Sequence, residues 1–371
     1  MTVHRRTFTA QGATQMPFDT ARTRCHHQRL SGPRPASALQ VVEWFGAIQA
    51  QDFSAALWAV GQRSAGLTAE DVTRAIADRE IVRSWPMRGT IHFVPGTDLR
   101  WMLSLTRARE NDRVRSLLRG LGHGQATLDR ARGILEAALS NGPLTRPEIY
   151  EKLEQDGIPT AKTVGIQILT FWAQSGLICF AEHCGKQPTF ALLDDWLAPE
   201  KANQPDRDTA LRILAERYFR SHSPATERDF AWWAGITLTV AREAIRLAGG
   251  LLSERVLNGV PFLSHVDSPP DADSEGDVLR LLSPFDEILV GYKDRSAYDL
   301  QSGAPDQTLN LFGPTLLLNG RLVGSWQKTL GAKSGRATLA FLPEVDSRAR
   351  TLADAEIERL SHFWGMPVVA S

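Results

Sequence analysis

Residues 139–176 read LSNGPLTRPEIYEKLEQDGIPTAKTVGIQILTFWAQSG, and this stretch decides the fold. Asn141-Gly142-Pro143 stops the helix before it, since glycine and proline cannot carry helical backbone onward. Thr145 followed by Glu148 is the spacing of a reciprocal N-terminal cap, so a second helix starts there and ends at Gly157-Ile158-Pro159. A third helix is expected from about Lys162 to Ser175. Val164, Ile168 and Trp172 share one face, and Gly176 lies past the end.

Upstream, Leu128, Ala131, Leu135 and Leu139 recur at helical spacing. Downstream, strands are expected at Leu177 to Ala181 and Thr189 to Leu193, around a polar turn holding Gly185 and Pro188. Helix, helix, helix, hairpin is the order of a winged helix.

The order returns on both sides. Ala210, Ile213, Leu214 and Tyr218 open a third copy. Ser223-Pro224-Ala225-Thr226 echoes Gly142-Pro143-Leu144-Thr145, and Thr226 with Asp229 resembles a helix start. A helix over Leu238 to Ala248 closes at Gly249-Gly250, and Asn258-Gly259 marks a hairpin within Leu251 to Phe262. The N-terminal copy is less regular. Leu39, Val42, Trp44 and Phe45 lie on a helix ending near Gln49. Thr68 with Asp71 starts another, and Ile81 to Trp85, Pro86 to Gly89 and Thr90 to Val94 form strand, turn and strand.

The last quarter changes period. Val278 to Leu282, Ile288 to Gly291, Thr315 to Leu318, Arg321 to Trp326 and Ala337 to Leu342 read as strands. Ala353, Ile357, Leu360 and Trp364 share the face of a closing helix stopped by Gly365. The fold class is therefore α+β: three tandem winged-helix units packed around a C-terminal antiparallel β-barrel. The expected divisions are a disordered tail over 1–17, units at 18–105, 106–205 and 206–275, and the barrel at 276–371. Asp267 to Gly276, acidic and proline-rich, reads as a linker.

Charge contributes little by itself. The 371 residues hold 42 Lys+Arg against 42 Asp+Glu, so any nucleic-acid surface must come from local clustering. Arg107, Arg109, Arg113, Arg115 and Arg119 form one such cluster, though Glu110 and Asp112 interrupt it and a solvated helix face fits equally. Arg22, Arg24, His26, His27, Arg29 and Arg34 form another. Three cysteines, Cys25, Cys179 and Cys184, fit a reducing compartment, and no run is apolar enough to span a bilayer. Met1 to Pro17 lacks the apolar core of a secretory signal. A monomeric cytoplasmic protein, nucleoid-associated when bound to DNA, is expected, with no metal and no cofactor.

Three stretches carry a resemblance to a known family. They are Ala47-Ile48-Gln49-Ala50-Gln51-Asp52, Arg83-Ser84-Trp85-Pro86-Met87-Arg88-Gly89-Thr90-Ile91-His92, and Pro284-Phe285-Asp286-Glu287 leading into Gly291-Tyr292-Lys293-Asp294-Arg295. Over Phe18 to Pro367 the chain resembles the winged-helix DNA-binding proteins that include the AlkZ-like bacterial DNA glycosylases. The resemblance implies a Gln-x-Gln or Gln-x-Asp catalytic motif in the first winged helix. Gln49 and Gln51 match its polar positions, and Ala50 is a small version of a usually aliphatic middle residue. It also implies excision of N-alkylated purines from double-stranded, damaged DNA, some of them in interstrand crosslinks.

Glutamine is a poor general base. An N7-alkylated purine, however, is cationic and departs as a neutral base. The site then needs chiefly to hold a water beneath the anomeric carbon. In a continuous helix Gln49 and Gln51 would diverge by about 200°. They are therefore expected at a helix end or in a loop, with Asp52 beside them as a further base or electrostatic stabiliser. The alternative is that both cap backbone groups between two helices. Candidate DNA contacts are Arg83, Arg88, His92, Arg107, Arg109, Arg113, Lys293 and Arg295. Arg83 and Arg88 could instead support the site, and His92 could be a satisfied structural histidine. With no lysine in the motif, a Schiff-base lyase step is not expected. The alternative function is a non-catalytic winged-helix DNA-binding protein or transcriptional regulator.

Overall fold

The computed structural model describes residues 19–198, 204–268, 276–298, 310, 312–343 and 345–371. The tail expected over 1–17 and most of the expected linker lie outside the described residues.

A short helix α1 (Thr20–His27), capped by Asp19, precedes the first unit. The unit runs α2 (Ala38–Phe45), β1 (Ile48–Gln49), α3 (Phe53–Gly61), α4 (Ala69–Ala77), β2 (Ile81–Met87) and β3 (Thr90–Pro95). Ser37 caps α2, and Gly46, at φ +78°, stops it in a backbone conformation that favours glycine. Thr68 and Asp71 form the expected reciprocal cap on α4. The 22-residue helix α5 (Leu99–Gly120) leads into the second unit, packing on both β2 and α8 (Val164–Gln174). The division expected at 105/106 falls inside this unbroken helix.

The second unit is α6 (Gln125–Leu139), β4 (Leu144–Thr145), α7 (Arg146–Gln155), α8, β5 (Ile178–Cys184) and β6 (Gln187–Leu192), followed by the short α9 (Leu193–Trp196). Helix α8 starts two residues later than expected because Lys162 and Thr163 hold φ of +50° and +71°. The third unit is α10 (Arg207–Ser221), α11 (Glu227–Ala234), α12 (Leu238–Ala248), β7 (Leu252–Leu257) and β8 (Val260–His265).

One connection recurs in all three units. A short extended segment between the first two helices pairs with the second strand of the hairpin: β1 with β3, β4 with β6, and Ala225 with Leu263 of β8. The segment then ends at a helix cap, Asp52, Thr145 or Thr226. Gln51, directly before its cap, corresponds to Leu144 and Ala225 in the other units.

The C-terminal part contains β9 (Leu279–Leu282), α13 (Glu287–Val290), β10 (Thr315–Leu318), β11 (Arg321–Leu330), β12 (Gly335–Phe341), α14 (Ser347–Trp364) and β13 (Val368–Ala370). Ile288 to Gly291, expected as a strand, forms the helix α13 instead. Asp286 accepts from the Ile288 N–H at its start, and a short apolar run fits either element. The strands form a five-stranded sheet in the order β13-β12-β11-β10-β9, antiparallel except for β12 with β13. Among the described residues its edges β9 and β13 do not pair, so the expected barrel is an open sheet. Helix α14 packs against both edge strands.

This sheet is fused to the first unit. Trp58 donates from Nε1 to the Leu281 carbonyl at 2.7 Å, and Ser283 Oγ to the Ala55 carbonyl at 2.8 Å. Buried Arg63 pairs with buried Asp286 at 2.5 Å. The basic stretch from Arg22 to Arg34 is structural in large part, not an open DNA surface. Arg24 is 2% exposed, lies 3.8 Å over the Tyr292 ring and pairs with Asp229 at 3.9 Å. No helix among the described residues is long and apolar enough to cross a membrane.

Candidate active site and basic groove

The Gln49-Ala50-Gln51 segment is extended. Gln49 lies opposite His92 across β1 and β3, and the Ala50 N–H donates to the Ile91 carbonyl at 2.7 Å. The next ladder bond comes from a side chain: the Ile91 N–H donates to Gln51 Oε1 at 3.3 Å. Asp52 then turns the chain into α3, its Oδ1 accepting from the Ala55 N–H at 2.9 Å. Side chains two apart on extended backbone share a face, as a paired-amide site requires. Arg83 clamps the segment from behind. It donates from Nη2 to the Ala50 carbonyl at 2.9 Å and to the Gln51 carbonyl at 3.2 Å, over the Phe180 ring.

Gln49 is buried and held by three neighbours. Its N–H donates to Glu287 Oε1 at 2.7 Å. Its Oε1 accepts from Arg88 Nη2 at 3.3 Å, and the same nitrogen donates to His92 Nε2 at 3.0 Å. His92 Nδ1 can then donate to the Thr90 carbonyl at 3.0 Å, which assigns a single neutral tautomer. Burial, reinforced by the Arg88 charge, pushes this imidazole down to about 3.

Glu287 is the counter-charge. Burial alone would raise its carboxyl. The approach of His222 Nε2 at 3.5 Å and the charge of Arg88 outweigh burial and hold it down to about 2. Trp233 Nε1 donates to its other oxygen at 3.1 Å.

Arg88 reaches these partners from a two-residue hairpin turn. Arg88 and Gly89 have φ of +56° and +62°, and such turns favour Asn-Gly. An arginine at the first position costs backbone strain, and here it places a guanidinium between Gln49, His92 and the Val290 carbonyl, 3.2 Å away. Gly89 also makes room, since a Cβ there would lie 2.6 Å from Arg113 Nη1.

On the outer side of Arg88 opens a groove of about 530 Å³. Arg88, Arg109, Arg113, Arg228 and Lys293 line it against one carboxylate, Glu110, and the indole of Trp232. Arg109 donates to the Gly235 carbonyl at 3.0 Å, joining α5 to the third unit. Burial raises the Glu110 carboxyl pKa, with Arg113 and Arg109 opposing.

The structure therefore gathers Arg88, Arg109, Arg113 and Lys293 from the eight expected DNA contacts. Arg107 is exposed but lies about 200° round α5 from Arg109. Arg295 donates Nε to the Leu289 carbonyl at 2.6 Å and faces the rings of Phe312 and Trp232. Arg83 and His92 are 6% and 0% exposed; side chains so enclosed support the tripeptide and do not reach a phosphate. Neither glutamine lines the groove, and Gln49 meets it through Arg88.

Residues that sequence reasoning did not single out complete the site. Glu287 was visible only as part of a resembling motif, and Arg228 and Trp232 carried no local signal. At the exposed end of the tripeptide, His183 from the second unit lies against Phe53, ring centroids 3.9 Å apart. Lys328 from β11 donates to Ser54 Oγ at 2.9 Å, 4.4 Å from the Trp364 ring. Burial pulls its amine down to about 8, with Asp52 opposing.

A paired-amide site with its own buried acid, beside a groove lined by cations, places the chain among proteins that handle nucleic acids without a metal-binding motif of their own. The family model described as DNA glycosylase AlkZ-like matches residues 42–363, and the chain belongs to that family. Among curated proteins it is similar to the interstrand DNA cross-link repair glycosylase of Streptomyces sahachiroi. The two are 25% identical over 317 residues, covering 82% of this chain and 85% of the relative. Among solved structures it is similar to Streptomyces sahachiroi DNA glycosylase AlkZ, with TM-score 0.75 and 23% identity over 95% of this chain and 98% of the other. That likeness is one of fold.

Proposed function

We propose that this chain is a monofunctional DNA glycosylase. It hydrolyses the N-glycosidic bond of N7- or N3-alkylated purines in double-stranded DNA, bulky and interstrand-crosslinked adducts included, in DNA repair or toxin self-resistance. The observation that carries the reading is the fixation of Gln49 at the inner side of the cationic groove. Arg88 orients its amide while buried Glu287 holds its backbone.

Each amide oxygen has a second lone pair beyond the bond it already accepts. Gln49 and Gln51, on one face of an extended segment, can hold one water against the anomeric carbon. The alkylated purine leaves as a neutral base, so departure needs no protonation by the protein. The C1′–N bond breaks, a bond from C1′ to the water oxygen forms, and the water's proton passes to solvent. The products are free base and an abasic site. The negative charge of Glu287 offsets that of Arg88, which would otherwise repel a cationic purine. Arg109, Arg113, Arg228 and Lys293 suit phosphates, which fix register on the duplex.

The shared order of elements and the recurring strand connection support three winged helices, at 18–105, 106–205 and 206–275. In this reading the five-stranded sheet of 276–371 is the wall of a barrel. The chain works as a monomer in the cytoplasm, at the nucleoid. The test is single-turnover incubation with a duplex bearing one N7-methylguanine. Free N7-methylguanine should appear, with the strand cut only after alkali. Tight, sequence-selective binding to undamaged duplex with no base released would favour the regulator instead.

A further inference from the structure

Two adjacent tryptophans of α11 face different surroundings. Trp233 is fully buried and donates to Glu287. Trp232 is 45% exposed and lines the basic groove. Its indole N–H donates to the Val290 carbonyl at 3.2 Å, the acceptor that Arg88 Nη1 also uses at 3.2 Å. Trp232 is thus fixed through one carbonyl to the arginine that orients Gln49. Arg295, 5.9 Å from the ring, is at the limit of a cation–π contact and leaves almost half the side chain in water.

A half-exposed indole in a groove is an uncommon use of a large apolar side chain unless a ligand covers it. Glu110 supplies a second, independent sign. It is 6% exposed, lines the same groove, and its Oε2 is buried without a hydrogen-bond partner. An unpaired carboxylate oxygen among arginines is costly, and it is an acceptor awaiting a donor. The groove, about 530 Å³, has the capacity of a ligand pocket and exceeds what phosphate contacts alone require.

We infer that Trp232 and Glu110 form a nucleobase subsite: the alkylated purine, drawn out of the stack, lies on the Trp232 face with its exocyclic amine donating to Glu110 Oε2. This rests on the glycosylase reading and adds to it a seat for the base. A cationic purine suits both partners. A tryptophan face attracts cations more strongly than other aromatic faces, and a carboxylate opposes the positive charge. Arg109, Arg113 and Lys293 then hold the flanking phosphates while the subsite holds the ring. Undamaged purines gain less because they lack the charge, so the subsite selects alkylated bases.

The test measures affinity for a duplex carrying 2′-fluoro-N7-methyldeoxyguanosine, whose glycosidic bond resists hydrolysis, against the same duplex with guanine. Trp232→Ala should weaken binding to the alkylated duplex by about 5- to 150-fold, the span set by base–aromatic stacking of ~1–3 kcal/mol. Undamaged duplex should change by less than about twofold, since phosphate contacts remain. Trp232→Phe, which keeps an aromatic face in case alanine disturbs α11, should retain most of the preference. Glu110→Gln should lose part of it. Equal losses on both duplexes, or no loss with Trp232→Ala, overturn the inference. Base release by the wild-type chain from the hydrolysable duplex is scored separately. If the wild type releases base and the Trp232 variants discriminate normally, only the subsite fails; if the wild type releases none, the glycosylase reading fails.

Discussion

Glu287→Gln keeps the size of a buried side chain and removes its charge. At pH 7 Glu287 accepts from the Gln49 N–H and from Trp233 Nε1, and it balances Arg88. A glutamine can offer one oxygen, so its NH₂ must face one of those donors. Removing one member of a buried charge-paired set costs ~3–5 kcal/mol. Proton linkage leads to a similar size. Lowering the carboxyl from 4.5 to about 2 on folding is worth ~3 kcal/mol at neutral pH. Because the folded-state pKa is depressed, this contribution is complete above about 4.5 and is lost as pH falls through about 2. Urea unfolding of wild type and Glu287→Gln at pH 7 should differ by ~3–5 kcal/mol. By pH 3 the gap should have shrunk by about 2 kcal/mol, because the wild-type carboxylate has lost that much of its advantage. Equal stability at pH 7, or a gap that does not change with pH, would show that Glu287 is not the ionised anchor described.

Three further outcomes are expected. His92 is held neutral by a pKa lowered from 6.5 to about 3, so its contribution is complete above about 6.5 and falls away toward pH 3. His92→Gln should therefore lose ~2–3 kcal/mol less stability than wild type between pH 6.5 and pH 4, measured by denaturant midpoints. Replacing Arg109 and Arg113 together by glutamine should reduce the slope of log affinity against log salt by about 2, near 0.9 per phosphate contact, in a filter-binding or anisotropy titration. Arg107→Gln, on another face of α5, should leave that slope almost unchanged; an equal reduction would place DNA on that face as well.

Much of the three-unit organisation was legible because glycine, proline and cap residues punctuate it. Thr145 with Glu148, Thr68 with Asp71 and Thr226 with Asp229 all form the reciprocal caps their spacing suggests. Strands β1 and β4, two residues each, carry no period and were not legible, although they tie each unit together. Helix α1 was hidden for a different reason. Its residues are mostly charged or polar, and they are buried because Arg24 stacks on Tyr292, distant in sequence. The placement of Gln49 and Gln51 outside a helix followed from geometry alone, since amides that share one water cannot lie about 200° apart. What surrounds them was not legible. Glu287 is 238 residues from Gln49, and Arg88, Glu110 and Trp232 meet only when three units and the C-terminal sheet are assembled. Charge clusters were a poor guide, because an arginine's neighbours in space decide whether it faces a phosphate or an aromatic ring.

The most direct test of the central claim is single-turnover release of N7-methylguanine from duplex DNA by wild type, Gln49→Ala and Gln51→Ala. All three proteins are first matched for thermal stability and for affinity to the intact duplex. The paired-amide account expects each variant to bind as wild type does and to release base about 10²- to 10³-fold more slowly, the usual cost of one preorganised hydrogen-bonding group. Release by both variants at the wild-type rate would contradict it, leaving Gln49 and Gln51 as groups that merely join β1, β3 and α3.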